Sequence, residues 1–198
     1  MTQIFTLTLS PSLDSATTTP KIYPEGKLRC TAPIFEPGGG GINVARAVVY
    51  LGGQAHAIFP IGGPTGEHLK ELLDQEGIDT RTLKTQDWTR QNMHVHVDNS
   101  GEQYRFVMPG ARLSDAEFDL LVLQVQNIPS GSILVISGSL PPGTGIEKLV
   151  HLIQQAKAMG LQCIIDSSGD ALKASLDLGG LALVKPNQNE LSALIGRE

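Results

Sequence analysis

Residues 133–166, ILVISGSLPPGTGIEKLVHLIQQAKAMGLQCIID, decide the fold class. The apolar runs 133–136 and 163–165 are short and continuous, which is typical of strands buried on both faces of a parallel sheet. Between them lies an apolar stripe at helical spacing, formed by Leu149, Leu152, Ile153 and Ala156. Gly160 closes this helix as a left-handed cap. A strand, a helix and a second strand of these lengths predict an α/β fold with a doubly wound, mostly parallel sheet and right-handed crossovers.

The chain begins and ends with similar strand patterns. Residues 4–9 alternate as a strand does and stop at the turn residues 10–14, which places Asp14 just past the strand's carboxyl end. The apolar run 181–184 leads into Lys185 in the same way. Both patterns predict further strands of the main sheet.

Two more helices are marked by their ends. Ser114 and Glu117 are spaced as a capping box, and the helix that follows should end near Asn127, before a proline. Another helix is predicted to start near Thr65 and to close at Gly77.

Two segments break the alternation of strands and helices. Residues 17–36 are rich in Thr and Pro, with a turn expected at 24–27 and no helical period. Residues 93–107 alternate in polarity on both sides of a turn at 99–101. Both segments predict hairpins of a small second sheet, which could serve as a lid or as an oligomer surface.

The composition excludes several classes of protein. The chain has 198 residues, 15 Lys and Arg, and 20 Asp and Glu, so its formal net charge is −5, and it contains no basic run. These features argue against nucleic-acid and membrane-surface partners. No apolar stretch approaches the ~18 residues of a membrane helix, and the first residues do not form a signal peptide. Cys30 and Cys163 lie far apart, so we expect a reducing, cytoplasmic location.

Polar residues follow the predicted strands where each one ends. They are Asp14, Ser139, Asp166, Lys185 and Asn187. Because ligands of open α/β sheets bind outside the carboxyl ends of the strands, these residues predict one shared cleft. The alternative is that each is an ordinary turn or capping residue, since Asp, Ser and Asn are common at such positions.

A run of four glycines, 38–41, precedes a predicted helix that contains Asn43. A glycine loop that leads into a helix presents backbone N–H groups to a polar ligand. The loop lacks the Gly-Lys-Ser/Thr of a P-loop, and Asn43 replaces the third glycine of a dinucleotide-binding loop. A dinucleotide-dependent oxidoreductase is therefore disfavoured, and a simple tight turn remains an alternative.

Three further polar features have two interpretations each. Glu190, in a first helical turn, could hold Mg²⁺ through water together with Asp166, or could only cap its helix. Arg90 could bind a phosphate or lie in solvent. His94 and His96 share one strand face, where a polar surface is favoured over a zinc site because further ligands are missing nearby.

With these residues the sequence resembles the ribokinase-like (PfkB) carbohydrate kinases along its whole length. The segments that carry the resemblance are TLSPSLD at 8–14, YPEGKLRCTAP at 23–33, FEPGGGGINVARA at 35–47, DWTRQN at 87–92, VISGSLPPG at 135–143, IIDSSG at 164–169 and VKPNQNEL at 184–191. The resemblance implies a ribokinase-like fold with a small β-sheet lid, in segments of about 17–36 and 88–108.

The resemblance also implies roles for individual residues. The sugar would be bound by Asp14, Gly39, Asn43 and Ser139. Arg90 would bind the phosphate that the sugar already carries, and Lys27 would reach the site from the lid, across a homodimer. Lys185 and Asn187 would contact the ATP phosphates, and Asp166 and Glu190 would organise Mg²⁺. One departure is Asn189, where similar kinases have Lys, which would weaken a contact to ATP.

The activity implied by the resemblance is that of a 6-phosphofructokinase. It transfers a phosphoryl group from MgATP to fructose 6-phosphate, giving fructose 1,6-bisphosphate and ADP in glycolysis. Tagatose 6-phosphate and fructose 1-phosphate kinases have similar sites and remain alternatives. The family's Gly-Ala-Gly-Asp segment, which carries the catalytic base, would lie beyond Glu198. Residues 1–198 would then be the N-terminal part of the kinase, without its nucleotide-binding remainder, or a catalytically silent sugar-phosphate-binding fragment.

Overall fold

A computed structural model describes residues 2–196 of the chain. The strands are Ile4–Leu7 (β1), Ser12–Thr19 (β2), Ile34–Gly38 (β3), Ala55–Ile61 (β4), Asp79–Lys84 (β5), Arg90–Val97 (β6), Gln103–Phe106 (β7), Ile133–Ser137 (β8), Gln162–Asp166 (β9) and Leu183–Val184 (β10). The helices are Gly40–Tyr50 (α1), Gly63–Gln75 (α2), Asp115–Gln126 (α3), Ile146–Ala158 (α4), Gly169–Leu178 (α5) and Gln188–Ile195 (α6).

The larger sheet confirms the predicted α/β class. Its strand order is β10-β9-β8-β1-β4-β5, and all of its pairings are parallel. Alternate residues of β4 face opposite sides of this sheet. Ile58 belongs to a core with residues of α3 and α4, whereas Ala57 and Phe59 belong to a second core with residues of α1 and α2. Two helical layers therefore cover the sheet, one on each face.

The strand-helix-strand unit 133–166 has the predicted form. β8 pairs with β9 in parallel, with Ile133 opposite Gln162. All four residues of the predicted stripe on α4 are buried, and Gly160 adopts a left-handed φ of 79° just after the helix. Because β8 and β9 are parallel, Ser137 and Asp166 lie opposite each other at the carboxyl ends of the two strands.

The smaller sheet has four strands in the order β3-β2-β6-β7. β2 pairs antiparallel with β3, β6 pairs antiparallel with β7, and β2 joins the two hairpins through a parallel pairing with β6. The turn predicted at 24–27 lies in a long loop, 20–33, between β2 and β3. The predicted second sheet is therefore present, and its first strand begins at Ser12.

Two strand predictions were wrong in detail. Asp14 does not follow the first strand in a loop, because β1 ends at Leu7 and Asp14 lies inside β2. Residues 8–11 connect the two strands, with bends at 9 and 10, and the β-branched threonines 17–19 at the end of β2 favour its extended conformation. β10 consists of only Leu183 and Val184, so the apolar run is longer than the strand.

The helix ends agree with the capping signals. Ser114 caps α3 in a reciprocal box with Glu117, and Asn127 is the residue that ends the helix. α2 begins at Gly63, two residues before the predicted start, with a proline in its first turn. Within the described residues, no helix is both long enough and apolar enough to cross a membrane.

Candidate functional site

The carboxyl ends of β8 and β9 open into a cleft of about 230 Å³. Its lining residues are Gly40, Ser137, Gly138, Ser139, Asp166, Ser167, Ser168 and Glu190. Three residues singled out from the sequence, Ser139, Asp166 and Glu190, therefore meet in one cleft. The glycine loop contributes Gly40 to the same wall.

Asp166 is held at the edge of the cleft by two neighbours. Its Oδ2 accepts a hydrogen bond of 2.9 Å from Ser137 Oγ, and its Oδ1 lies 3.0 Å from the ammonium of Lys185. Ser137 is buried, whereas the Lys185 side chain is 65% exposed. The serine therefore fixes the carboxylate, while the lysine can move to another anion at little cost, since exposed ion pairs are weak.

Asn187 and Glu190 form the first turn of α6. The Asn187 side chain accepts a hydrogen bond of 2.9 Å from the Glu190 N–H, and Glu190 Oε2 accepts one of 2.8 Å from the Asn187 N–H. The capping interpretation of both residues is thus confirmed. Glu190 lines the cleft as well, so its carboxylate has a capping partner on one side and the cleft on the other.

A second cluster surrounds Asp14 on the smaller sheet. Asp14 Oδ1 accepts hydrogen bonds of 2.7 Å from Ser12 Oγ and 2.8 Å from Asn92 Nδ2. Asn92 and Ser12 are buried, and Asp14 is partly buried. Because directly paired residues of neighbouring strands share a face, Asp14, Asn92 and the opposite residue Glu36 project to the same side of this sheet.

Arg90 lies next to this cluster. Its Nη1 donates to the Met108 carbonyl at 3.1 Å and its Nη2 to the Ser10 carbonyl at 3.0 Å, while its buried Nε has no partner among the described residues. Burial lowers the pKa of the Arg90 guanidinium from its ordinary value, and the negative charge of Asp14 opposes this shift. Arg90 is therefore a partly desolvated cation with donors still available to an anion.

The glycine loop joins the two clusters. A Cβ at Gly38 would lie 2.6 Å from Asp14 Oδ2, and a Cβ at Gly40 would lie 2.9 Å from the Gly138 nitrogen. Gly39, between them, has a φ of 125°, which favours glycine. The loop thus requires glycine in order to pass between the Asp14 cluster and the cleft. It ends at α1, whose first N–H groups have no partner within the helix, and Asn43 is exposed in this first turn.

Lys27 lies apart from these clusters, and the two histidines follow Asn92 along β6. Lys27 is exposed in the loop 20–33, where it lines a separate groove with Lys21 and Arg29. His94 and His96 share a face of β6, as the sequence predicted. Among residues 2–196, no group of three or more His, Cys, Asp or Glu side chains is arranged to hold a metal ion.

Sequence reasoning missed Ser12, Asn92 and Ser137. Asn92 lies two residues after Arg90, and this spacing on a strand puts both on one face, which is a signal that the sequence contained. Ser12 could not be found, since the segment around it was predicted to be a turn. Ser137 is visible as a strand-end serine, but only the register of β8 and β9 shows that it meets Asp166.

Comparison with known proteins identifies the family of this chain. Residues 7–198 match the description "pfkB family carbohydrate kinase". The chain is 67% identical over 198 residues to the ATP-dependent 6-phosphofructokinase isozyme 2 of Escherichia coli (strain K12), covering 100% of this chain and 64% of that protein. It thus spans somewhat less than two thirds of the relative's length.

Solved structures give the same result. Phosphofructokinase-2 from Escherichia coli in complex with fructose-6-phosphate superposes with a TM-score of 0.97 at 67% identity, over 100% of this chain and 65% of that one. The tetrameric inhibited form of the same protein superposes with a TM-score of 0.96, with coverage of 100% and 65%. The chain belongs to the pfkB family of carbohydrate kinases and has its ribokinase-like fold.

Proposed function

We propose that this member of the pfkB family is an ATP-dependent 6-phosphofructokinase, which transfers the γ-phosphoryl group of ATP to the free hydroxymethyl group of fructose 6-phosphate. The observation that carries the proposal is the glycine loop, because it connects a carboxylate cluster with an adjacent arginine to a cleft that holds two further carboxylates. A kinase needs these two half-sites, one for the acceptor and one for the phosphate chain of the donor.

The acceptor half-site is assigned to the Asp14 cluster. Asp14 has one carboxylate oxygen occupied by Ser12 and Asn92, which leaves Oδ2 to accept a hydrogen bond from a sugar hydroxyl. Gly39, Asn43 and Ser139 would complete the sugar contacts from the loop, from α1 and from the end of β8. Arg90 would bind the 6-phosphate, since it is charged and each of its terminal nitrogens uses one of its two N–H groups in the hydrogen bonds to Met108 and Ser10.

The donor half-site is assigned to the cleft. Asp166 and Glu190 provide two carboxylates, and Mg²⁺ is commonly held by one or two carboxylates together with water and substrate phosphates. The donor set therefore fits Mg²⁺ without a third protein ligand. When bound, the ion would neutralise charge on the ATP phosphates. Lys185, which is exposed next to Asp166, and Asn187 would contact the same phosphates.

The smaller sheet, which carries Asp14, Asn92 and Arg90, is assigned the role of a lid that covers the bound sugar. A lid that excludes water suits phosphoryl transfer, because water is a competing acceptor. We also assign a homodimer contact to this sheet, on the strength of its half-exposed apolar residues Met93, Tyr104 and Phe106, which share one face. Lys27 would then act across the dimer. A cytoplasmic location agrees with the two free cysteines.

The domain assignment is that residues 1–198 form the N-terminal part of the ribokinase-like domain. The coverage of 64% of the Escherichia coli protein supports this proposal. The same coverage favours a second candidate function, in which the 198 residues alone bind the phosphosugar and do not turn it over. Tagatose 6-phosphate and fructose 1-phosphate are the alternative acceptors.

The test combines turnover and binding. ADP formation from MgATP is measured with each of the three phosphosugars, and binding of each is measured by calorimetry, both at the protein's natural length and with the 198 residues alone. Asp14→Asn should abolish fructose 6-phosphate binding by removing the acceptor charge. Asp98→Asn, which alters an exposed carboxylate in the turn after β6, should leave binding unchanged.

Each outcome selects one candidate. Turnover that is fastest with fructose 6-phosphate supports the 6-phosphofructokinase. A preference for another phosphosugar would support a kinase with that sugar as its acceptor. Binding without turnover by the 198 residues supports the binding fragment. If the protein at its natural length neither binds nor turns over any of the three phosphosugars, the proposed function is refuted.

A further inference from the structure

Asn92 connects the Asp14 carboxylate with the chain that leaves the smaller sheet. It lies in β6 and is only 7% exposed. Its Nδ2 donates to Asp14 Oδ1 at 2.8 Å, and its Oδ1 accepts from the Met108 N–H at 3.0 Å. The side chain amide is therefore bonded at both ends, to one acceptor and one donor.

The two partners fix the orientation of this amide. A carboxylate oxygen can only accept a hydrogen bond, and a backbone N–H can only donate one. The Asn92 amide satisfies both in one orientation and would satisfy neither if it were flipped. Position 92 thus requires a side chain with a donor towards Asp14 and an acceptor towards Met108.

The contact also decides which Asp14 oxygen is free. Ser12 and Asn92 both donate to Oδ1, so the two hydrogen bonds turn Oδ2 towards the space next to Gly38. A Cβ at Gly38 would occupy that space, at 2.6 Å from Oδ2. Asp14 is therefore held in one rotamer with one oxygen presented to the glycine loop.

Arg90 is tied to the same backbone residue. Its Nη1 donates to the Met108 carbonyl at 3.1 Å, while Asn92 accepts from the Met108 N–H. The Arg90 guanidinium is thus hydrogen-bonded to the Met108 backbone directly, and the Asp14 carboxylate is connected to the same residue through Asn92. A shift of Asn92 would disturb the distance between them.

We propose that Asn92 is a positioning residue that orients the Asp14 carboxylate for the sugar hydroxyls and keeps it at a fixed distance from the Arg90 guanidinium. This inference rests on the proposed function, since it assigns the freed oxygen of Asp14 to the sugar. Asn92 itself is not placed in contact with the substrate.

The decisive variant is Asn92→Asp. When protonated, the introduced carboxyl group has the same donor and acceptor arrangement as the amide, whereas in its ionised form it would face the Asp14 carboxylate and repel it. The other charged or titratable groups on this face of the sheet are Arg90, His94 and His96 on β6, Glu36 on β3 and Arg105 on β7. They and the sugar phosphate are present in the parent protein as well, so the ratio of the two affinities isolates the effect of the new carboxyl group and its interactions with them.

We therefore expect a pH-dependent loss of sugar binding. The dissociation constant of fructose 6-phosphate for Asn92→Asp should approach that of the parent protein at acidic pH. At alkaline pH the dissociation constant should be about tenfold larger or more, because a hydrogen bond to a charged group is lost. The KM for ATP, measured at saturating sugar, should stay unchanged. Calorimetry and steady-state kinetics at the protein's natural length provide these values.

The matched control is Ser15→Ala. Ser15 donates to the backbone carbonyl of the same Asn92 at 2.9 Å, whereas the hydrogen bonds to the Asp14 carboxylate come from Ser12 and Asn92. It should lower the melting temperature without introducing a pH-dependent sugar affinity. A second variant, Asn92→Ala, should weaken sugar binding at every pH, and its melting curve shows whether it is folded.

The outcomes separate this inference from the proposed function. If the parent protein binds none of the three phosphosugars, the proposed function is refuted and the positioning role falls with it. If the parent protein binds fructose 6-phosphate and folded Asn92→Asp binds it equally well at all pH values, only the positioning role is overturned. An equal rise in the KM values of sugar and ATP would also overturn it, since that result indicates a general loss of structure.

Discussion

At the scale of single residues, Arg90 is the residue of the acceptor half-site with a buried donor that lacks a partner among the described residues. Its two terminal nitrogens donate to backbone carbonyls, and its buried Nε is left without a partner in the described structure. A buried donor without a partner costs free energy, and a phosphate could relieve that cost only if the groups that cover Nε moved aside. The remaining N–H groups of the two terminal nitrogens are left for an anion that the chain itself does not supply.

Arg90→Lys should therefore weaken the binding of the phosphate group in particular. A lysine ammonium cannot reach two carbonyls and a phosphate in the forked geometry of arginine. We expect the dissociation constant of fructose 6-phosphate to rise about tenfold or more. The affinity for unphosphorylated fructose should not change. Calorimetry with both sugars measures the two effects.

A control arginine with similar geometry is available on α1. Arg46 donates from Nε and Nη2 to Glu76 and from Nη1 to the Pro37 carbonyl, so Arg46→Lys also breaks a forked contact. It should leave the affinity for fructose 6-phosphate as it is. Equal losses for both sugars in Arg90→Lys would show that Arg90 holds the lid rather than the phosphate.

At the scale of elements, the structure separates what the sequence could predict from what it could not. The helix α4 and the strands β8 and β9 were predictable because their burial pattern is local and repeats along the chain. The first part of β2, residues 12–16, was not, since most of its residues are polar and small and its partner β6 is distant in sequence. The placement of Asp14 depends on this pairing, so its residue type was predictable but its contacts with Ser12 and Asn92 were not.

The helix α3 shows how a local signal also determines a pH dependence. Partial burial alone would raise the pKa of Glu117, but hydrogen bonds from Ser114 and from the Gln86 N–H outweigh it and lower this pKa below its ordinary value. The Gln86 N–H lies 2.7 Å from Glu117 Oε1, so the same carboxylate caps α3 and ties it to the segment after β5. Because the pKa is lower in the folded state, this stabilisation is present above the unfolded-state pKa and is lost as the pH falls through the folded-state value.

Glu117→Gln should therefore destabilise the protein at neutral pH and have little effect in acid. The variant keeps the size of the side chain but removes its negative charge and replaces one of the two accepting oxygens by an NH₂ group. Its melting temperature should lie below that of the parent at neutral pH, and the difference should shrink as the pH falls below the ordinary pKa of a glutamate, about 4.3. Glu71→Gln, at an exposed position on α2, serves as the control and should show a small difference that does not depend on pH. A difference for Glu117→Gln that stays constant with pH would contradict the electrostatic explanation.

At the scale of the whole molecule, the smaller sheet has two unlike faces. One face carries Asp14, Asn92 and Arg90, and the other carries Met93, Tyr104 and Phe106, which are 40%, 39% and 43% exposed. A sheet with one polar and one apolar face needs a cover for the apolar face. The proposed homodimer would provide it, and the same contact would hold β6 and β7 of the proposed lid in place, together with Arg90 and Asn92 on β6.

Phe106→Asp should therefore weaken self-association and sugar binding together. A carboxylate in the centre of an apolar contact loses the hydrophobic contribution of the ring and must be desolvated, so we expect the dimer dissociation constant to rise more than tenfold. Sedimentation velocity over a range of concentrations measures it, and calorimetry at the same concentrations measures fructose 6-phosphate binding.

Leu123→Asp is the control, since Leu123 is 51% exposed on α3, in a helical layer of the larger sheet. If Phe106→Asp remains as associated as the parent while Leu123→Asp dissociates, the contact lies on α3 and the lid is held by its own chain. If Phe106→Asp becomes monomeric and still binds the sugar with full affinity, the dimer is real but the acceptor half-site does not depend on it.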